Sequence, residues 1–161
     1  MFNVFGDKEA LFRATVLEAI EIAERFAEQL RTDIAAPGPV AGRLRELGRA
    51  LARSVLASPV IPLRRLLVSE AARFPELALE YRRRAPELVM HAIAGLLAEL
   101  AAAGELRVDD PDTAAEHFAF LVMGADLDRG MFLAAPEPPS PARIDARADA
   151  GVQAFLRAYA A

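Results

Sequence analysis

The sequence predicts an all-α fold of six to seven helices, and three observations carry that prediction. Of the 161 residues, 35 are Ala and 21 are Leu, the strongest helix formers. The β-branched and aromatic residues that favour strands are a minority. Apolar residues recur at three- and four-residue steps along most of the chain, and the stretches between them carry the Pro, Gly, Asp and Ser signals of helix ends. At ~100–200 residues per domain this length gives one domain with room for a core. A 54% apolar content excludes extended disorder. The absence of Cys excludes a disulfide framework, a Cys-based zinc site and a thiol nucleophile.

Taken in order, Asp7 is a plausible N-cap with Glu9 in the first turn, where the helix dipole favours an acid. Leu11, Phe12, Val16, Ile20, Phe26 and Leu30 then line one face, and Arg13, Glu18, Glu21 and Arg25 the other, until Pro37-Gly38-Pro39 ends the helix. A second helix spans about 40–57. A short third one, led by Leu63, Leu66 and Leu67, runs to about Arg73. Phe74-Pro75 opens a fourth that ends at Arg82-Arg83-Arg84, a run suited to a solvated helix end. Pro86 starts the next, carrying Leu88, Val89, Ile93, Leu96, Leu97 and Leu100, and Gly104 stops it. Asp110-Pro111 is a strong start signal. The helix it opens has no charged residue from His117 to Ala125 and therefore needs cover on more than one side. Ser140-Pro141 opens the last helix, with Ile144, Ala148, Val152, Phe155 and Tyr159 in one stripe. These last two helices offer more apolar surface than one chain of this size easily covers. A symmetric dimer through a helix bundle is one remedy; closure of the chain's own core is the other.

Net charge is −4, and the 18 Arg outnumber the single Lys8, a ratio in keeping with GC-rich coding. A mildly acidic chain is not built to hold DNA by itself. The longest uncharged stretch, Leu88–Ala98, is 11 residues, short of the ~18 of a membrane span, and the N-terminus lacks a signal-peptide pattern. A soluble, cytoplasmic domain with no membrane partner is expected.

Catalysis finds little support. The imidazoles are His91 and His117, and no nucleophile elbow, Gly-rich phosphate loop or paired metal motif is present. Glu87 and His91 share a helix face, half of a metal site at best; Asp126 and Asp128 diverge on a helix. No cofactor is expected. His91, Glu70 and Tyr81 sit among apolar neighbours, either as satisfied core groups or as orienting contacts in a small-molecule pocket.

The segment Phe2-Asn3-Val4-Phe5-Gly6-Asp7-Lys8-Glu9-Ala10-Leu11-Phe12 resembles the junction of tetracycline-repressor (TetR) family regulators, where the DNA-recognition helix ends and the ligand-binding domain begins. Weaker resemblances follow at Arg73-Phe74-Pro75-Glu76-Leu77, at Gly104-Glu105-Leu106-Arg107 and at Asp110-Pro111 before Ala114-Ala115-Glu116-His117-Phe118. The resemblance implies that residues 1–6 are the end of a recognition helix and that residues 7–161 form an effector-binding and dimerisation domain. It implies a connecting helix from Asp7 that moves with ligand, a pocket within the next four segments, and a dimeric four-helix bundle from the last two. In the family, roughly 45 further residues form a helix-turn-helix that reads the major groove, so DNA contact would rest on them. Phe2 takes the place of a phosphate-contacting Tyr without its hydroxyl, and Lys8 matches a Lys near the DNA backbone.

The resulting expectation is a non-enzymatic TetR-like regulator, a repressor released from DNA by a small apolar or amphipathic ligand. Pocket candidates are Phe26, Leu51, Leu66, Glu70, Met90, His91, Ala94 and Phe118. Homodimer candidates are Phe120, Gly124, Leu127, Ile144, Ala148, Val152 and Phe155. Rival readings are a helical interaction module without ligand or DNA function, and a helical metal enzyme at Glu87 and His91.

Overall fold

The computed structural model describes residues 4–33, 37–57, 59–133 and 137–161. Its first element, α1, is a 30-residue helix over Val4–Asp33. The N-cap expected at Asp7 is corrected: the helix starts earlier, at Val4, and Asp7 lies in its first turn, still where the dipole favours an acid. The remaining elements are α2 (Val40–Leu56), α3 (Val60–Glu70), α4 (Pro75–Arg84), α5 (Pro86–Ala102), α6 (Pro111–Ala119), α7 (Ala125–Phe132) and α8 (Pro141–Tyr159). A π-helical segment, Phe120–Gly124, joins α6 to α7 in one rod. The expected punctuation is in place: Asp110 accepts from the Asp112 and Thr113 amides, Ser140 from the Arg143 amide, and Gly104 takes φ +77°. Beyond these helices, an isolated antiparallel bridge pairs Leu106 with Ala160.

Two apolar clusters form the interior. The larger one gathers α2, α5, the α6–α7 rod and α8, with Ala27 and Leu30 of α1 joining it. The smaller one holds Val16 and Ile20 of α1 against Leu63 and Leu67 of α3 and Leu77 and Tyr81 of α4. Helix α1 is therefore seated twice along its length. Ion pairs reinforce the second seat: Arg84 reaches Glu24 at 2.9 Å, and Arg13 reaches Glu76 at 3.5 Å. The arginine run that ends α4 is thus paired as well as solvated, since Arg82 also meets Glu87 at 2.8 Å.

The stripe on α8 also receives a correction. Ile144, Ala148 and Phe155 are fully buried and Val152 is nearly so, because α2 lies over them: the chain's own core, not a partner, covers these four of the dimer candidates. Gly48 makes the approach possible: a Cβ there would stand 2.8 Å from Val152 Cγ2. On the next side, Gly151 meets the backbone of the π segment, where a Cβ would fall 2.3 Å from the Leu121 carbonyl oxygen. The rod of α4 and α5 is long and apolar enough to cross a membrane, with an 18-residue window of mean hydropathy 1.4. Val89, Ile93, Leu96, Leu97 and Leu100 of that rod are buried in the larger cluster.

Candidate functional site

A cleft opens where α3, α4 and α5 face the α6–α7 rod. Its walls enclose two adjoining cavities, one of about 420 Å³ beside Leu67, Val68, Tyr81 and Met131, the other of about 700 Å³ beside Leu51, Val55, Val89, Met90 and Met123. Arg64, Arg82, Pro86, Phe120 and Leu127 belong to both. The local sequence explains this. On α3, Leu63 and Leu67 turn inward, which leaves Arg64 half-buried beside the cleft. On the rod, the π segment puts Val122 inside and leaves Phe120, at its first position, 68% exposed. Both volumes are in the range of small-molecule sites, whose walls are mostly apolar with a few polar groups.

Charges in the cleft divide into paired and unpaired. Arg82 Nε donates to Glu87 at 2.8 Å. Arg64 Nε donates to the Tyr81 hydroxyl at 3.4 Å. Asp112, Glu116 and Asp128 are exposed. His91 also lines the larger cavity but is exposed, and its Nδ1 lies 2.8 Å from the Glu87 carbonyl oxygen of its own helix. The sequence reading of His91 as a group enclosed by apolar neighbours is thereby corrected: that stretch of α5 turns its 91 position to solvent.

The eight pocket candidates do not share one site. Leu51, Met90 and His91 line the cleft. Phe26 lines a cavity of about 520 Å³ between the C-terminal part of α1, the start of α2 and α5. Leu66 and Glu70 line one of about 310 Å³ beside Lys8, Leu11, Phe12 and Phe74. Ala94 and Phe118 are core residues, Phe118 packed edge-on against Phe155 with ring centroids 5.2 Å apart. Sequence reasoning missed Arg64, Leu67, Met123 and Met131. The signal available for Arg64 was its position three residues before Leu67 on a helix whose other face is buried.

Of the dimer candidates, Phe120, Gly124 and Leu127 lie on the cleft side of the rod and are at least partly exposed, while Ile144, Ala148, Val152 and Phe155 are interior. Phe2 lies outside the described residues; Lys8 is exposed. Asp126 is 8% exposed and held by Arg129 at 2.5 Å, Arg147 at 2.9 Å and Arg143 at 3.5 Å, while Asp128 is exposed, as their divergence on the helix requires. Asp145 and Asp149 sit in the forks of Arg53 and Arg49, whose hydrogen bonds hold both carboxyls below the usual carboxylate range. Among the described residues, no group of three or more His, Asp and Glu is placed to hold a metal ion, and Glu87 is engaged by Arg82.

No curated protein matches the chain. Solved structures share its fold, among them the following three. A chain assigned to the TetR family of transcriptional regulators, from Mesorhizobium loti MAFF303099, matches with a TM-score of 0.86 and 28% identity over 98% of this chain and 77% of its own. The flavonoid-responsive regulator FrrA matches with a TM-score of 0.66 and 28% identity, over 95% of this chain and 75% of its own. A TetR transcriptional regulator from Agrobacterium tumefaciens matches with a TM-score of 0.58 and 26% identity, over 82% of this chain and 69% of its own. Residues 42–161 match the family described as the AefR-like transcriptional repressor C-terminal domain. That span is most of the chain, and the all-α architecture agrees with it: the chain belongs to the TetR family of transcriptional regulators, as an AefR-like C-terminal domain.

Proposed function

We propose that residues 7–161 form the effector-binding and dimerisation part of a cytoplasmic, non-enzymatic repressor, with residues 1–6 closing a DNA-recognition helix and DNA read by a helix-turn-helix before them. A small apolar or amphipathic effector occupies the cleft. One observation carries this reading: Leu67 and Tyr81 wall the cleft and also seat Val16 and Ile20 of α1. A ligand pressing on those two side chains shifts the bed of the connecting helix. Because residues 4–6 share α1 with the rest of it, the shift passes across the domain boundary without a break. The effector acts by binding one tilt of α1 better than the other.

The homodimer forms through the α6–α7 rod and α8. Support comes from the exposed Leu121 and Phe132, and from exposed Ala142, Ala146, Ala150, Ala154 and Ala158 at four-residue steps opposite the buried stripe. Small side chains there let two helices approach closely, and Leu121 and Phe132 supply apolar area. Sedimentation with a thermal-shift screen of apolar and amphipathic compounds tests both parts. A dimer with a ligand that raises Tm supports the reading. A dimer with no hit across the screen would favour the interaction module.

A further inference from the structure

Resting on the cleft as effector site, we infer that the effector is an amphipathic anion: an apolar body bearing one carboxylate, sulfonate or phenolate group that Arg64 receives. Arg64 lies on the shared wall of both cavities and is half-buried. Among the described residues no carboxylate stands within ion-pair distance of it, and its bond to the Tyr81 hydroxyl is to a neutral group at 3.4 Å. Its neighbour on the same wall, Arg82, is already neutralised by Glu87. The other half-buried arginines are engaged as well: Arg13 with Glu9, Arg43 with Glu105, Arg49 with Asp149, and Arg65 with the Leu133 carbonyl. Withdrawing a guanidinium partly from water without a counter-charge is unfavourable, and an anion in the cleft offsets that cost. The planar fork of Arg suits two-oxygen acceptors.

The rest of the wall selects the body of the molecule. Met90, Met123 and Met131 adapt to irregular apolar shapes, and Phe120 adds an aromatic side chain. The carboxylates that also border the cleft, Asp112, Glu116 and Asp128, are exposed, so water screens them. Arg64 is the partly desolvated charge left unmatched.

The test uses two dyes that share a ring system. 8-Anilinonaphthalene-1-sulfonate carries an anion, and N-phenyl-1-naphthylamine lacks it. The sulfonate dye is expected to bind more tightly. Arg64→Gln should weaken it by about tenfold while leaving the neutral dye unchanged, and Arg64→Lys should fall between. Equal affinity for the two dyes, or an equal loss of both in Arg64→Gln with an unchanged circular-dichroism melt, overturns the anion. Met123→Trp fills the cleft and should abolish both signals. If both dyes still bind that variant, they sit elsewhere, and the cleft itself is lost as the effector site together with its anion.

Discussion

Arg49 and Asp149 meet in a two-pronged fork, Nε to Oδ1 at 2.8 Å and Nη2 to Oδ2 at 2.6 Å, which ties α2 to α8. One turn further along α2 and one turn back along α8, Arg53 holds Asp145 in the same way. The two bridges flank the stripe that α2 covers, so they fix the register in which Gly48 faces Val152.

Acid should loosen this seam. The folded state holds the Asp145 and Asp149 carboxyls below their ordinary values through the arginine hydrogen bonds. Groups depressed on folding contribute stability above the unfolded value, about pH 3.9, and that contribution disappears as pH falls through the lower folded value. Urea melts from pH 6 to pH 2.5 should show stability falling below about pH 4. The double variant Asp145→Asn, Asp149→Asn should be less stable at pH 6 but lose less on acidification. An identical acid profile for both proteins would place the sensitivity elsewhere.

Glycines at two places should respond oppositely to alanine. At Gly151 a Cβ meets the Leu121 carbonyl, which is backbone and cannot rotate away. Gly151→Ala should cost about 1–3 kcal/mol by overpacking. At Gly95, an exposed position in α5, a Cβ meets nothing within 4 Å. Gly95→Ala should stabilise by about 0.5–1 kcal/mol. Denaturant midpoints of the two variants give the comparison directly, and matching signs would refute it.

Charge placed on opposite sides of α8 should separate folding from assembly. Val152→Glu puts a carboxylate into the larger cluster and should unfold the chain or leave it insoluble. Ala150→Glu faces solvent and should leave the circular-dichroism melt intact while shifting the sedimentation mass toward monomer. An Ala150→Glu protein that remains dimeric would move the interface off this face.

Asp126→Asn keeps the shape of a nearly buried side chain but removes the charge that Arg129, Arg143 and Arg147 surround. The arginines are about half exposed, so solvent screens part of their repulsion. A loss of about 1–2 kcal/mol is expected, lowering Tm by roughly 2–8 °C, with partial recovery in high salt. A Tm unchanged at low salt would show that the cluster is not a joint between α7 and α8.

Much of the fold was legible because its boundaries are written locally. Asp110-Pro111, Ser140-Pro141, Phe74-Pro75 and Gly104 each act through their own backbone or side chain, and each stands at an end in the structure. The π segment was not legible, since its wide turn goes with a long-range contact at Gly151, some 30 residues away. What covers α8 was left open for a similar reason. A stripe shows that something must cover Ile144 and Phe155, and only packing shows that it is α2. The site was read least well. Spacing marks Leu51 and Met90 as apolar, but whether they face a cavity or a neighbour depends on how five helices meet. Arg64 escaped notice because an arginine on an amphipathic helix has an ordinary solvent-facing explanation.

The double seating of α1 has a mechanical consequence. A 30-residue helix at 1.5 Å per residue is a rod of ~45 Å. Gripped near Ala27 and Leu30 and again near Val16 and Ile20, it has the geometry of a lever whose nearer bearing, made by Leu67 and Tyr81, is also a wall of the cleft. From the bearing at Ala27 to Lys8 the arm is about 28 Å, so a tilt of about 5° carries Lys8 through roughly 2.5 Å. In the proposed mechanism a small side-chain adjustment at the nearer bearing is magnified at the tip by the ratio of the two arms, and the unbroken helix transmits it.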